Sequence, residues 1–179
     1  IKLVNDLLVL TRSDAGALSL DIQFFDLAEL VQTRCDIMEP IAIQKGVQLY
    51  LEKHLAVRPQ VMGDPHRTAQ VLDNLLNNAL RYAPRDSNIM ISLENLDGNT
   101  HCSVSDRGPG ISPEHLPLIF ERFYRVDKSR DRESGGSGLG LAIARALIEA
   151  QGGSINAQSK IGEGTKITFT LPTKKLLEN

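Results

Sequence analysis

The sequence predicts an α/β sandwich in which one mixed sheet is covered by helices on one face. Three observations predict it. Amphipathic stretches at helical spacing carry caps, alternating segments of strand length flank tight turns, and the two kinds of segment are interleaved along one chain. The 179 residues, 41% hydrophobic and 23% charged, suffice for one ordinary core and a short appendage.

Residues 1–14, IKLVNDLLVLTRSD, set Ile1, Val4 and Leu8 beside Leu3, Leu7 and Leu10, which makes a helix with a wide apolar face closed by Gly16. A helix this short is not stable alone, so it reads as part of a bundle. Residues 26–45 read as a second helix, capped by Asp26, kinked at Pro40 and ended by Gly46; VQLYLE then reads as a strand. Asp64 caps a third helix with Pro65 at its first position, and it runs to about Tyr82 before Ala83-Pro84. IMISLENL and HCSVSD alternate as two strands, and Asp97-Gly98-Asn99 between them is hairpin chemistry. A polar, glycine-rich region leads to a fourth helix from about Leu139 to Gln151, stopped by Gly152-Gly153. SINAQS and TKITFTL form a last strand pair around the turn IGEG.

A formal net charge of −2 argues against a nucleic-acid partner, which calls for a basic face. No apolar run reaches membrane-spanning length, and no signal peptide is visible. Cys35 and Cys102 lie far apart in apolar-patterned segments and read as reduced core thiols in a cytosolic setting. The chain opens on Ile inside a helical pattern and reads as part of something longer.

Three features carry chemistry. In the third helix Val71, Leu72, Leu75, Leu76, Ala79 and Leu80 fill one half, while Asn74, Asn78 and Arg81 share one edge of it. Arg67 lies on the same line, Tyr82 just inside the apolar border, and Asn77 points further out. A solvated edge is the ordinary reading of such a row. Asp106 comes next: alternation puts its carboxylate on the apolar face with Cys102 and Val104, directly before Arg107-Gly108-Pro109-Gly110. Such a carboxylate needs donors, which a structural turn or the exocyclic amine of a purine would supply. Lastly, Gly136, Gly138 and Gly140 open the fourth helix, where free N–H groups and the helix dipole favour an anion. Together they make an inventory for base, phosphates and metal, without the P-loop or the dinucleotide fingerprint.

In order and spacing these residues resemble the catalytic, ATP-binding domain of bacterial sensor histidine kinases, in the GHKL ATPase superfamily. The resemblance runs from about Asp21 to Pro172 through five motifs: DPHRTAQVLDNLLNNALRYAP, DRGPGI, IFERFYRVD, GGSGLGLAIA and GEGT. It implies the Bergerat-type sandwich. Residues 1–20 would end a dimerisation and phosphoacceptor bundle, 21–173 would form the catalytic domain, and 174–179 a polar tail. It implies ATP and Mg²⁺ as cofactors, with Asn78 as magnesium ligand, Asn74 assisting, Arg81 on phosphate and Tyr82 flanking the nucleotide. Asp106 would accept from the adenine amine, Gly108 and Gly110 would admit the ring, and Ile111 would pack on it. Residues 121–138 would form a lid rooted by Phe120 and Phe123, with Arg125 and Arg130 on phosphate and Lys128 and Arg132 weaker candidates. Gly136, Ser137, Gly138, Leu139, Gly140 and Leu141 would wrap the phosphates, and Thr165 would stand at the pocket wall.

Hydrolysing members of the superfamily resemble this helix but carry a Glu where Asn74 stands, and an amide cannot activate water. The resemblance therefore favours transfer of the γ-phosphoryl group to a histidine on the bundle of the same kinase dimer, then to a response-regulator aspartate. None of His54, His66, His101 and His115 sits in the context of such an acceptor, so autophosphorylation by this chain alone is not expected, and a monomer is. The parent protein would sit in the inner membrane with this domain in the cytoplasm. A GHKL-type serine kinase and a nucleotide-binding module without turnover remain the alternatives.

Overall fold

The computed structural model describes residues 2–53, 60–126 and 137–173, without the side chains of Lys2 and Lys53. Its elements are α1 (Lys2–Asp14), β1 (Gln23–Asp26), α2 (Leu27–Lys45), β2 (Val47–Lys53), β3 (Gln60–Gly63), α3 (Pro65–Tyr82), β4 (Ser87–Leu96), β5 (Asn99–Asp106), α4 (Gly140–Ala150), β6 (Ile155–Lys160) and β7 (Gly164–Pro172). The expected mixed sheet is present, with five strands in the order β2-β4-β5-β7-β6. Strand β2 runs parallel to β4, and every other pair in it is antiparallel.

The β4–β5 turn follows from its residues. Leu96 pairs with Asn99 across a two-residue loop in which Asp97 (φ 52°) and Gly98 (φ 77°) are both left-handed. That geometry matches the twist of the flanking strands. Alternation then sends Ile89, Ile91 and Leu93, Cys102 and Val104, and Ile167, Phe169 and Leu171 into one core, each under 5% exposed. Leu72, Leu75, Leu76 and Leu80 of α3 and Ile143, Leu147 and Ile148 of α4 fill it from the helical layer.

The helix caps are as the sequence implies. Asp26 accepts from the Glu29 N–H, Asp64 accepts from the N–H groups of His66 and Arg67, and Gly46 closes α2 at φ 69°. Helix α2 continues through Pro40. Both cysteines are buried and free.

Two short strands were not legible. β1 and β3 form a separate antiparallel pair, four residues each, with Phe24 opposite Met62. Neither shows the alternation that marks a half-buried strand, because the outward side chains Phe24 and Met62 are themselves apolar and 51% and 41% exposed. Helix α1 lies against α4, burying Leu10, and its end is tied by Asp14 to Arg122, N to O 2.5 Å.

Candidate functional site

A cavity of about 590 Å³ opens between α3, the turn after β5 and the N-terminal end of α4. Helix α3 supplies Asn74, Asn77, Asn78, Arg81 and Tyr82 to its wall. The apolar half of the same helix, Leu72 to Leu80, is anchored in the core, and that fixes the seam where these polar groups emerge. Asn74 is the most telling of them. Its Nδ2 is buried without a hydrogen-bond partner, and a β-carbon on Gly140 would lie 3.7 Å from its Oδ1. A buried amide without a protein partner in a cavity wall leaves its hydrogen bond to a ligand atom or to water. Asn77 points outward, with Nδ2 donating to the Asp73 carbonyl at 2.7 Å, yet it too borders the cavity.

Asp106, 9% exposed, ends β5 on the cavity floor. Its Oδ1 accepts from the Gly108 N–H at 2.7 Å, and its carboxylate also accepts the Thr165 N–H from the neighbouring strand. Burial pushes its carboxyl above the ordinary value, and these two N–H donors oppose that shift without cancelling it. The carboxylate thus holds spare acceptor capacity facing the cavity.

Gly110 and Ile111 lie on the wall beside Pro109, whereas Gly108 sits behind it. A β-carbon on Gly108 would come 2.7 Å from Asp106 Oδ1 and 2.9 Å from the Tyr82 carbonyl oxygen. At Gly110, φ is +73° and a β-carbon would fall 2.0 Å from the Lys160 carbonyl oxygen. These glycines let the turn fold onto its own carboxylate and onto the β6–β7 hairpin. The same hairpin is fastened by Ser159, whose hydroxyl accepts the Ile111 N–H at 2.8 Å and meets the Thr165 hydroxyl at 2.8 Å. Thr165 completes that wall.

Ser137, Gly138, Gly140 and Leu141 border the cavity at the start of α4. Leu139 does not, because its side chain is fully buried in the core. Gly138, at φ +72°, lies against the backbone of Phe123, whose N–H donates to its carbonyl at 3.0 Å. Arg125 reaches the wall. Lys128, Arg130, Arg132 and Gly136 fall outside the described residues. Phe120 packs on the core, but the Phe123 ring is 58% exposed, so that residue holds the segment through its backbone. Arg67 belongs to a separate groove with Arg12 and Gln70.

Sequence reasoning missed several neighbours of the cavity. Ile119 and Tyr124 belong to a motif read only for its phenylalanines and arginine, while Leu3 and Asp6 arrive from α1 by tertiary packing alone. Among the described residues no three His, Cys, Asp or Glu side chains converge on a metal position. Besides the carboxylates of Asp6 and Asp106, the cavity offers the amide oxygens of Asn74, Asn77 and Asn78, a neutral donor type that suits Mg²⁺ held mainly by phosphate oxygens and water.

A buried carboxylate at one end of a cavity, a glycine-lined helix start at the other, and an amide-bearing helix between them define a nucleotide-binding α/β sandwich. The family model described as histidine kinase-, DNA gyrase B- and HSP90-like ATPase matches residues 63–175, and the chain belongs to that family. It is 39% identical over 171 residues to the sensor histidine kinase CusS of Escherichia coli K12, covering 96% of this chain and 35% of CusS. It is 40% identical over 183 residues to the sensor histidine kinase WalK of Bacillus subtilis, covering 100% of this chain and 29% of WalK. The chain therefore spans about a third of the length of these relatives. Full-length ShkA, solved in complex with AMPPNP, superposes with a TM-score of 0.83 at 30% identity over 96% of this chain and 35% of that one. The histidine kinase AdeS of Acinetobacter baumannii gives 0.79 at 28% identity over 97% and 78%.

Proposed function

We propose that this domain binds Mg·ATP and presents its γ-phosphoryl group to a histidine side chain on a helical bundle, for onward transfer to an aspartate of a response-regulator receiver domain. The observation that carries the reading is the pairing of Asp106 with Asn74 in one cavity: a buried acceptor for a base amine, and a buried orphan amide beside the helix start that would take the phosphates.

In this reading Asp106 accepts from the exocyclic amine of adenine, and Ile111 offers an apolar surface to the ring. Asn78 would hold Mg²⁺ through its side-chain oxygen, and the ion would neutralise charge building on the phosphate oxygens. The N–H groups at the start of α4, with Arg81 and Arg125, would orient the same oxygens. In the transfer the bond from γ-phosphorus to the bridging oxygen breaks, one from phosphorus to an imidazole nitrogen forms, and ADP leaves. Such a step depends on positioning and charge neutralisation more than on acid–base chemistry. A neutral imidazole nitrogen needs no base to attack. Water would need one, and Asn74 is an amide that cannot serve.

The test is incubation with Mg²⁺, γ-labelled ATP and a histidine-bearing helical hairpin of a sensor kinase relative supplied in trans. A phosphoryl group that is labile in acid and stable in alkali supports the reading. An acid-stable phosphoester would favour the serine-kinase alternative, and no label on any acceptor despite nucleotide binding would favour a module without turnover.

A further inference from the structure

Tyr124 is held in the cavity wall from outside the cavity. Its hydroxyl lies 2.6 Å from His115 Nδ1, with the two rings 6.1 Å apart and tilted by 49°. The other imidazole nitrogen, Nε2, faces the Glu114 carboxylate at 3.9 Å. In the tautomer that carries its proton on Nε2, Nδ1 accepts from the tyrosine hydroxyl.

The backbone entering Tyr124 is constrained on both sides. Phe123, next to it, adopts φ +61°, a left-handed conformation that residues with a β-carbon avoid. It does so with its ring mostly in solvent, so side-chain burial does not explain the conformation. What it gains is the bond from its N–H to Gly138 across the start of α4. A β-carbon on Gly138 would lie 2.9 Å from Phe123 Cα. Strain of this kind persists where the surroundings over-determine it, and here it borders the cavity. On the other side His115 is fixed by its own N–H to the Ser112 carbonyl and by its carbonyl to the Leu118 N–H.

We infer that His115 is a positioning residue for nucleotide binding: its hydrogen bond and the strained Phe123–Gly138 junction together set Tyr124 as a fixed wall beside Ile111 and Ile119. This rests on the nucleotide reading of the cavity. His115 does not border the cavity itself and acts through Tyr124. The fixed ring lowers the ordering that a ligand must impose on this wall when it enters.

The experiment is calorimetric titration of a non-hydrolysable ATP analogue into the parent chain, His115→Leu, His115→Asn, Tyr124→Phe and the double variant His115→Leu/Tyr124→Phe, with thermal unfolding of each. Asparagine keeps an acceptor near the place of Nδ1. The expected result is a three- to tenfold weakening in His115→Leu and in Tyr124→Phe, no further loss in the double variant, and recovery to within about twofold in His115→Asn. Unchanged affinity in the single variants, whatever happens to their melting temperatures, would overturn the inference. So would losses that add in the double variant, or no recovery with asparagine. A parent chain that binds no nucleotide would instead overturn the reading of the cavity, and this inference with it.

Discussion

The N-cap of α3 and the C-cap of α4 are joined by one side chain: Gln151 Oε1 accepts the Asp64 backbone N–H at 2.7 Å. The same oxygen accepts the Thr68 hydroxyl at 3.2 Å, and Gln151 Nε2 donates to the Leu147 carbonyl at 2.8 Å. Asp64 in turn takes the Asp21 N–H on its Oδ2 at 2.9 Å. Asp64, Thr68 and Gln151 are buried, at 4%, 0% and 6% exposed, and the network reaches the surface at Asp21. Both helices that flank the cavity are therefore registered against each other at the ends remote from it.

Gln151→Leu keeps the volume and removes the acceptor, stranding a buried N–H and a buried hydroxyl. The expected cost is about 2–4 kcal/mol in urea unfolding, the range for two unsatisfied buried groups. A cost below about 0.5 kcal/mol would contradict the role given to this network.

Gly110 and Gly152 separate close approach from backbone conformation. Both are left-handed, at φ +73° and +78°, but a β-carbon on Gly110 meets the Lys160 carbonyl at 2.0 Å while one on Gly152 meets nothing within 4 Å. Gly152→Ala is expected to cost about 1–2 kcal/mol for conformation alone. Gly110→Ala is expected to cost about 2–5 kcal/mol, since backbone must move as well. Equal costs in chemical denaturation would show that the turn yields freely.

Asp106 makes stability depend on pH in a definite direction. Its folded pKa is raised, by burial first, above the unfolded value. A group of that kind contributes stability that is fully present below the unfolded pKa, about 4, and lost as pH rises through the folded pKa. Asp106→Asn removes that slope, so the variant gains on the parent as pH is raised from about 4 to neutrality. Under the proposed function the same variant turns an amide nitrogen towards the adenine amine, and nucleotide affinity is expected to fall by about 10- to 100-fold.

The two thiols serve as reporters of unfolding. Burial, helped by Asp36 and Glu39, pushes Cys35 up to about 11, and burial pushes Cys102 higher still. Only the thiolate is nucleophilic, so a thiol reagent at mildly alkaline pH is expected to label neither cysteine in the native chain and both in urea. Rapid native labelling of either would place it outside the core.

Much of the site could be read from the sequence because it hangs on regular elements. The period of α3 alone puts Asn74, Asn78 and Arg81 on one seam, and the alternation of β5 alone sends Asp106 inward. What escaped reading depends on contacts between distant segments. The roles of Gly108 and Gly110 as packing positions required knowing that Asp106 folds back on the turn and that Lys160 lies across from it. The motif groups Leu139 with its glycine neighbours, yet at the start of the helix its side chain turns into the core. Ser159 and Gln151 look like surface polar residues, and only tertiary structure makes them hubs. Tyr124 stood beside Arg125 in plain sight, but its partner His115 lies nine residues away in an irregular loop that no periodicity describes.

Under the proposed function, this cavity holds Mg·ATP with Asp106 on the base and Asn78 on the metal. Calorimetric titration of a non-hydrolysable ATP analogue, with and without Mg²⁺, into the parent chain, Asp106→Asn and Asn78→Ala tests it most directly. The expected result is binding that magnesium strengthens in the parent, that is lost or at least tenfold weaker in Asp106→Asn, and that no longer responds to magnesium in Asn78→Ala. A parent chain that binds no nucleotide, or an Asp106→Asn variant that binds as tightly as the parent, would contradict it.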